Sequence, residues 1–254
     1  MAFDDPTRLD LRALFSDEDM FDSRRAWSSA GFDIINRSGT GKIMVARHPS
    51  VQGLLFKKYT TSDSGERDQN VNYERRLEGS KRLRSFVNKQ RLASIAVPRK
   101  WILELPRPFS RSAHVLVAEQ LDLLSDDQTK AAYRRIDPNV LGDLCAVLFH
   151  FRGMDSIAKN LPFCAYGRIG LVDTEHWDRS SSKSYLHRVG EYLTKDRKAL
   201  AKKIFGQLED GDEVDVETAT RGVFDDDADT SDSSSASDDF SDEDDTSSSS
   251  DSSS

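Results

Sequence analysis

The hydrophobic pattern of this chain changes its period halfway along, and that change restricts the possible folds more than any other feature. Between residues 31 and 59, apolar segments of four to six residues alternate with clusters of Gly, Pro, Asn and Ser, as in strands joined by tight turns. After residue 125 the apolar residues recur at helical spacing instead. Strands in the first half and helices in the second predict an α+β fold rather than alternating α/β units.

Five strands and several helices can be placed on this pattern. Three strands are predicted in "FDII", "KIMVARH" and "LLFKKY", and two more in "KWILELP" and "HVLVAEQL". Between these groups, an apolar stripe on a charged background predicts a helix from about residue 71 to residue 91. Ser125 and Asp137 are predicted N-caps of two further helices. One or two helices rich in lysine and arginine follow between residues 183 and 208.

The charge of the chain is divided between two parts of opposite sign. Residues 207–254 contain 18 acidic residues and one basic residue, whereas the rest of the chain contains 26 acidic and 35 basic residues. The acidic part is mostly Asp and Ser, and Phe224 and Phe240 are its only aromatic residues. Such a segment cannot bury enough apolar surface to offset the entropy of ordering. We therefore predict a lead-in over residues 1–30, a folded unit over residues 31–206, and a disordered acidic tail.

The stretch "RGMDSIAKNLPFCAYGRIGLVDTEHW" concentrates oxygen-bearing side chains around a predicted hairpin. Asp155 follows an apolar helix, Asn160 lies in the next loop, and Asp173 ends the strand "RIGLV". A turn at Gly167 would fold this strand back against "LPFCA" and return Asp173 close to Asn160. Two oxygen ligands then converge with a carboxylate one loop away, an arrangement suited to Mg²⁺ bound to phosphates.

In their order and spacing, these residues and the segments before them resemble the protein kinase-like superfamily, at its branch of aminoglycoside phosphotransferases and other atypical kinases. The resemblance covers roughly residues 31–177. It implies a bilobal fold with a five-stranded N-lobe and one helix over residues 31–118, and a reduced helical C-lobe over residues 119–206. It also implies ATP and Mg as cofactors.

The resemblance gives a role to each candidate site residue. Asp155 would be the catalytic residue that accepts the substrate proton, and Asn160 and Asp173 would hold magnesium. The positions matched to nucleotide binding are Gly39 and Gly41 in the loop over the phosphates, Lys57 on the third strand, Glu78 as the helix carboxylate that orients this lysine, and Val117, Glu119 and Leu121 at the adenine hinge.

Two of these assignments have a competitor. Lys58 is an alternative to Lys57, because adjacent strand residues face opposite ways and only one of them can point into the cleft. The neighbouring residues do not decide between the two lysines, and Lys57 is retained as the candidate. Glu74 is an alternative to Glu78, which lies one helical turn further on and directly before Gly79.

The departures from the family pattern leave two functions open. Gly153 and Met154 stand where the family has histidine and arginine before Asp155, and Thr174 and Glu175 replace the usual Phe and Gly. The matching Lys, Asp, Asn and Asp residues favour an ATP- and Mg-dependent phosphotransferase whose acceptor is a protein or a small molecule. The departures favour the alternative, a pseudokinase or nucleotide-binding scaffold for protein–protein interaction that its acidic tail modulates.

Other classes of function find less support in the sequence. Cys145 and Cys164 show no pairing pattern, which indicates buried thiols in a reducing compartment, and with His150 and His176 they match no recurrent zinc spacing. No apolar segment approaches the ~20 residues of a membrane span, and we expect a cytoplasmic protein without membrane contact. Basic residues without interleaved aromatics do not indicate nucleic-acid binding. We expect the acidic tail to contact the basic body of its own chain or basic partners.

Overall fold

The computed structural model describes residues 11–15, 23–35, 43–59, 66–105, 114–154, 158–178, 189–212, 214–221 and 223. The predicted α+β class is confirmed, since an antiparallel five-stranded sheet forms in the first half of the chain and helices prevail in the second. No helix among these residues has the length and apolarity to cross a membrane.

Among the described residues, seven strands build one large and one small sheet. They are β1 (Asp33–Ile34), β2 (Ile43–His48), β3 (Val51–Tyr59), β4 (Ile95–Ala96), β5 (Lys100–Glu104), β6 (His114–Glu119) and β7 (Ile169–Gly170). The large sheet has the order β1-β2-β3-β6-β5, and every neighbouring pair is antiparallel. The five predicted strands are therefore all present in one sheet, with β3 at its centre. Strands β4 and β7 form a separate parallel pair.

Six α-helices accompany the sheets within the ranges that the structure describes. They are α1 (Arg24–Ser29), α2 (Glu66–Lys89), α3 (Asp126–Arg134), α4 (Pro138–His150), α5 (Lys195–Asp210) and α6 (Val216–Thr220). Helix α2 begins five residues before its predicted start. Both predicted N-caps are confirmed: the Ser125 hydroxyl accepts a hydrogen bond from the backbone of Gln128, and the Asp137 carboxylate accepts from that of Asn139. These caps satisfy backbone donors that a helix start leaves unpaired.

One hydrophobic cluster joins the sheet to the segment before it. Leu11, Phe15 and Trp27 are buried with Phe32 and with the side chains of Leu54, Phe56 and their neighbours on the same face. The rings of Phe15 and Trp27 meet edge to face at 5.6 Å, a favourable aromatic geometry. Residues 11–15 and 23–30, predicted as a lead-in, therefore belong to the core that covers one face of the sheet.

A second cluster is formed by α2 and the helices of the second half, and it extends past the predicted end of the fold. Helix α5 continues to Asp210, and α6 then packs on α4. A Cβ atom at Gly142 of α4 would lie 2.7 Å from Val216, and Ala219 is buried. The predicted boundary at residue 206 is therefore too early, because a few apolar side chains within an acidic segment find a complementary helix surface. Residues 224–254, the rest of the predicted disordered tail, lie outside the described residues.

Candidate functional site

Adjacent lysines of β3 lie on opposite faces of the sheet, because side chains alternate along a strand. Lys58 is buried on the face of Leu54 and Phe56, and its ammonium group donates a hydrogen bond to the carbonyl oxygen of His114 at 3.4 Å. Lys57 lies on the face that meets α2. On this face, the backbone N–H of Tyr59 donates to the hydroxyl of Tyr73 in α2 at 2.9 Å.

Lys57, which is partly buried, shares its face of the sheet with Lys100, which is buried. In the strand register, Lys57 is opposite Leu116 of β6, and Lys100 of β5 is opposite Ala118 of the same strand. Leu116 and Ala118 are two residues apart, so all four side chains lie on the same face. Two lysines therefore point from the sheet toward α2, an unusual density of positive charge for a buried surface.

The predicted hairpin is present and ends at Asp173. Gly167 occupies its turn with a φ of +76°, a left-handed conformation that glycine adopts without strain, and its N–H donates to the carbonyl oxygen of Cys164 at 3.0 Å. At the other end, the N–H of Val172 donates to the carbonyl oxygen of Asn160 at 3.2 Å. The hairpin thus returns the chain beside Asn160 directly before Asp173, as predicted.

A buried arginine of α2 pairs with the carboxylates that follow the hairpin. Arg76 Nη1 lies 3.4 Å from Asp173 Oδ1, and Nη2 pairs with the carboxylate of Glu175. Arg76 is only 8% exposed. Burial alone would raise the pKa of Asp173, but the Arg76 charge, the backbone N–H of Glu175 and the charges of Lys100 and Lys57 hold this pKa below its ordinary value. Asp173 is therefore ionised and neutralised by Arg76.

Lys57 and Lys100, the two lysines on this face of the sheet, have lowered pKa values. Burial, followed by the charge of Arg76, lowers the pKa of Lys57 to about 8, although Asp173 acts in the opposite direction. Burial and then the charges of Lys57 and Arg76 also place the pKa of Lys100 well below its usual range. These three side chains, with Asp173 and Glu175, form what we call the charge cluster. When all five are ionised it has one excess positive charge.

The segment from residue 172 to residue 178 is fastened to α2 and β5. The buried Thr174 hydroxyl donates to the carbonyl oxygen of Arg76 at 2.6 Å and accepts from Lys100 Nζ at 2.7 Å. A Cβ atom at Gly79 of α2 would lie 2.0 Å from the carbonyl oxygen of Thr174, so only glycine allows this approach. The guanidinium of Arg82 stacks over the Trp177 ring at 4.4 Å. Asp173 is therefore held at a fixed place against the helix.

Neither candidate glutamate of α2 reaches Lys57. Glu78 forms an ion pair with Arg82 on the helix surface, with 2.7 Å between Oε1 and Nε, and Glu74 is exposed. Arg76 occupies the inward position because it shares a helix face with Tyr73 and Leu83, at spacings of three and seven residues. This spacing was the sequence signal for an inward Arg76. It was not recognised as such because a charged residue on an amphipathic helix is usually solvated.

The three predicted hinge residues, Val117, Glu119 and Leu121, each have different neighbours in the structure. Val117, predicted at the adenine hinge, is buried in the cluster that contains Phe56, on the face of the sheet opposite Lys57. Glu119 pairs with Arg99, with 2.8 Å between Oε1 and Nη2. Leu121 lies next to the hairpin, since a Cβ atom at Gly170 would be 3.0 Å from its Cδ1 atom.

The remaining predicted site residues, Asp155, Gly39 and Gly41, lie outside the described residues. Within the described ranges, no group of three or more His, Cys, Asp and Glu side chains could hold a metal ion. Asn160 and Asp173 offer the oxygen donors that Mg²⁺ prefers, and the hairpin brings their backbones together. This pair fits Mg²⁺ in its chemistry, but the Asp173 carboxylate is engaged by Arg76 in the described conformation.

No model of a known protein family matches this chain, and no curated protein is similar to it in sequence.

Proposed function

We propose that the chain is an ATP-dependent phosphotransferase with a bilobal, kinase-like fold, whose phosphoryl acceptor is a protein or a small molecule. The observation that carries the proposal is the convergence of Lys57, from the centre of the sheet, and Asp173, from the end of the hairpin. Lys57 shares its face of the sheet with Lys100, whose Nζ donates to the carbonyl oxygen of Val172, the residue before Asp173, although 116 positions separate Lys57 from Asp173 in the chain. A lysine and a carboxylate that meet in this way are the two groups that a nucleotide phosphate and its metal require.

The order of the elements gives further support. The chain forms β1 to β3, crosses through α2, and returns with β5 and β6 so that β6 lies beside β3. The resemblance implies this arrangement for the N-lobe of a kinase-like protein, with α3 to α5 as the C-lobe. The nucleotide would then lie against the face of Lys57, with Leu121 at its adenine end.

Four residues of the chain have roles in the proposed reaction. Lys57, protonated near neutral pH, would donate hydrogen bonds to phosphate oxygens, and a bound phosphate would favour its charged form. Asp155 would accept the proton of the attacking hydroxyl group. Asn160 and Asp173 would hold magnesium, which when bound supplies positive charge to the phosphates.

A specific observation favours a second candidate, a pseudokinase or nucleotide-binding scaffold. Arg76 engages both Asp173 and Glu175, and Glu78 pairs with Arg82 instead of Lys57. A site with this charge pairing would bind a nucleotide without transferring its phosphate. Phosphate transfer, and not binding, therefore separates the two candidates.

Thermal unfolding of the full chain tests the shared part of both candidates. ATP at about 100 times its Kd should stabilise the protein by about 2.7 kcal/mol, which is a rise in Tm of about 5–10 °C at this size. The Lys57→Ala variant should lose this rise, whereas Lys81→Ala, which removes an exposed lysine of α2, should keep it. No rise in the wild-type chain, with or without Mg²⁺, would contradict both candidates.

A further inference from the structure

We propose that Arg76 gates the Asp173 carboxylate, so that a divalent metal reaches this carboxylate only when Arg76 withdraws from it. The inference rests on the proposed nucleotide site and concerns how that site is regulated. It assigns to Arg76 a positioning role in metal loading, with no contact to the reacting atoms.

The position of Arg76 is the first reason. Its guanidinium already supplies positive charge at Asp173 Oδ1, which also accepts the N–H of Glu175 at 3.2 Å. A divalent metal on the same carboxylate would lie beside the Arg76 guanidinium, next to the sheet face that carries Lys57 and Lys100. Like charges at such distances in a partly buried site repel strongly. Arg76 and the metal therefore exclude each other at Asp173.

The second reason is that Arg76 can withdraw without losing its last partner. Its contact with Asp173, at 3.4 Å, is an ion pair without hydrogen-bond geometry, whereas Nη2 makes a hydrogen bond to the Glu175 carboxylate. If Asp173 turns to another cation, Arg76 keeps Glu175. A buried arginine is therefore never left unpaired, which would be the most costly outcome of the exchange.

The third reason is that the described arrangement leaves one donor of Arg76 unsatisfied. Arg76 Nε is buried without a hydrogen-bond partner in the part of the chain that the structure describes. Buried donors of this kind are rare in native proteins and cost stability. A movement that gives Nε a partner would therefore offset part of the cost of leaving Asp173.

The backbone around Asp173 does not depend on Arg76 side-chain contacts. Lys100 Nζ donates to the carbonyl oxygen of Val172 at 3.2 Å and to Thr174 Oγ1 at 2.7 Å, so both neighbours of Asp173 are fixed from β5. Withdrawal of Arg76 therefore exchanges the counter-ion of Asp173 and leaves its position unchanged.

The gate predicts opposite changes for metal and for metal-free nucleotide. In the wild-type chain, metal-free ATP brings negative charge to the basic side chains of the charge cluster, whereas Arg76 opposes the binding of a divalent metal at Asp173. Arg76→Gln should strengthen metal binding by about tenfold and weaken the binding of metal-free ATP.

The experiment titrates the full chain with Mn²⁺ in the absence of nucleotide, because free ATP would itself bind the ion, and follows the electron paramagnetic resonance signal of free Mn²⁺. Calorimetry with ATP in EDTA measures metal-free nucleotide binding. Arg75→Gln is the matched control, since Arg75 pairs with Asp178 and donates to the Glu175 carbonyl oxygen without touching Asp173. It should leave the Mn²⁺ affinity within about twofold of wild type.

Equal or weaker Mn²⁺ binding by a folded Arg76→Gln variant would overturn the gate while leaving ATP binding intact. If this variant fails to fold, Arg76→Lys keeps the charge without the second arm that spans both carboxylates, and should strengthen Mn²⁺ binding to a smaller degree; unchanged binding would overturn the gate. Absence of ATP binding by the wild-type chain, with or without metal, would instead overturn the proposed function.

Discussion

The surroundings of Lys57 disfavour the protonated form of its amine, and among single residues this property bears most on function. Burial and the neighbouring Arg76 lower its pKa to about 8, so the folded state resists its protonation. The unfolded chain, with the ordinary lysine pKa, binds that proton more readily. The free energy that the folded state loses by burying the protonated amine is recovered in part when an anion binds, because a phosphate would stabilise that amine.

This lowered pKa gives a pH prediction. Between about pH 8 and pH 10.5 the unfolded state holds more protons on Lys57 than the folded state does, so the contribution of Lys57 to stability rises with pH in this window. Lys57→Met removes the penalty, and it should stabilise the protein at pH 7 but not at pH 10. Urea unfolding of both proteins at several pH values measures the difference. A gain that is the same at pH 7 and pH 10 would show that charge is not its cause.

The sequence could name Lys57 but could not separate it from Lys58, since the choice depends on which face of β3 meets α2. It could not find Arg76 as the partner of Asp173, because the ion pair joins residues 97 positions apart. The face of the sheet on which Val117 lies depends on the same strand alternation. The local sequence pattern indicates whether a residue lies in a strand or a helix. The residue that pairs with its charge is determined by the tertiary fold.

At the scale of elements, local chemistry was a good guide. The caps of α3 and α4 and the glycine turn of the hairpin were predictable because each depends on a few consecutive residues. The attachment of residues 172–178 to α2 was not, because nothing near Gly79 in the sequence reports that Thr174 will approach it.

The approach of Thr174 to Gly79 gives a prediction with a reversed sign. Glycine to alanine inside a helix normally stabilises by about 0.8–1 kcal/mol. Gly79→Ala should instead destabilise the protein by about 1–3 kcal/mol, because its Cβ atom would overlap the Thr174 carbonyl oxygen. Gly206→Ala in α5 is the control, since no atom lies within 4 Å of a Cβ atom there, and it should show the normal gain. Urea midpoints compare the two; stabilisation by both substitutions would mean that residues 172–178 are not held against α2.

At the scale of the whole molecule, composition located the acidic region but placed its boundary too early. Val216 and Ala219 join the helical core although their surroundings are acidic. Residues 224–254 contain 12 of the 44 acidic residues and none of the 36 basic residues, so the chain without them has a net charge of +4 instead of −8.

The opposite charges predict that the tail screens the body. A chain ending at residue 223 should bind an anionic resin more tightly and elute at higher salt than the full chain, because long-range charge interactions weaken with ionic strength. Equal elution of the 1–223 chain and the full chain would contradict screening.

A chain ending at residue 206 tests the boundary of the fold separately. It should lose about 2 kcal/mol or more of unfolding free energy, because the apolar contacts of α6 are removed.

Phosphate transfer from ATP is tested by the turnover of γ-³²P-labelled ATP by the full chain with Mg²⁺. Because the acceptor is unidentified, both labelled protein and released phosphate are counted. We expect turnover by the wild-type chain and a loss of about 100-fold or more in Asp155→Asn, with ATP binding retained. Equal turnover by both proteins would contradict the role of Asp155, and ATP binding without turnover in the wild-type chain would contradict phosphate transfer and leave the scaffold.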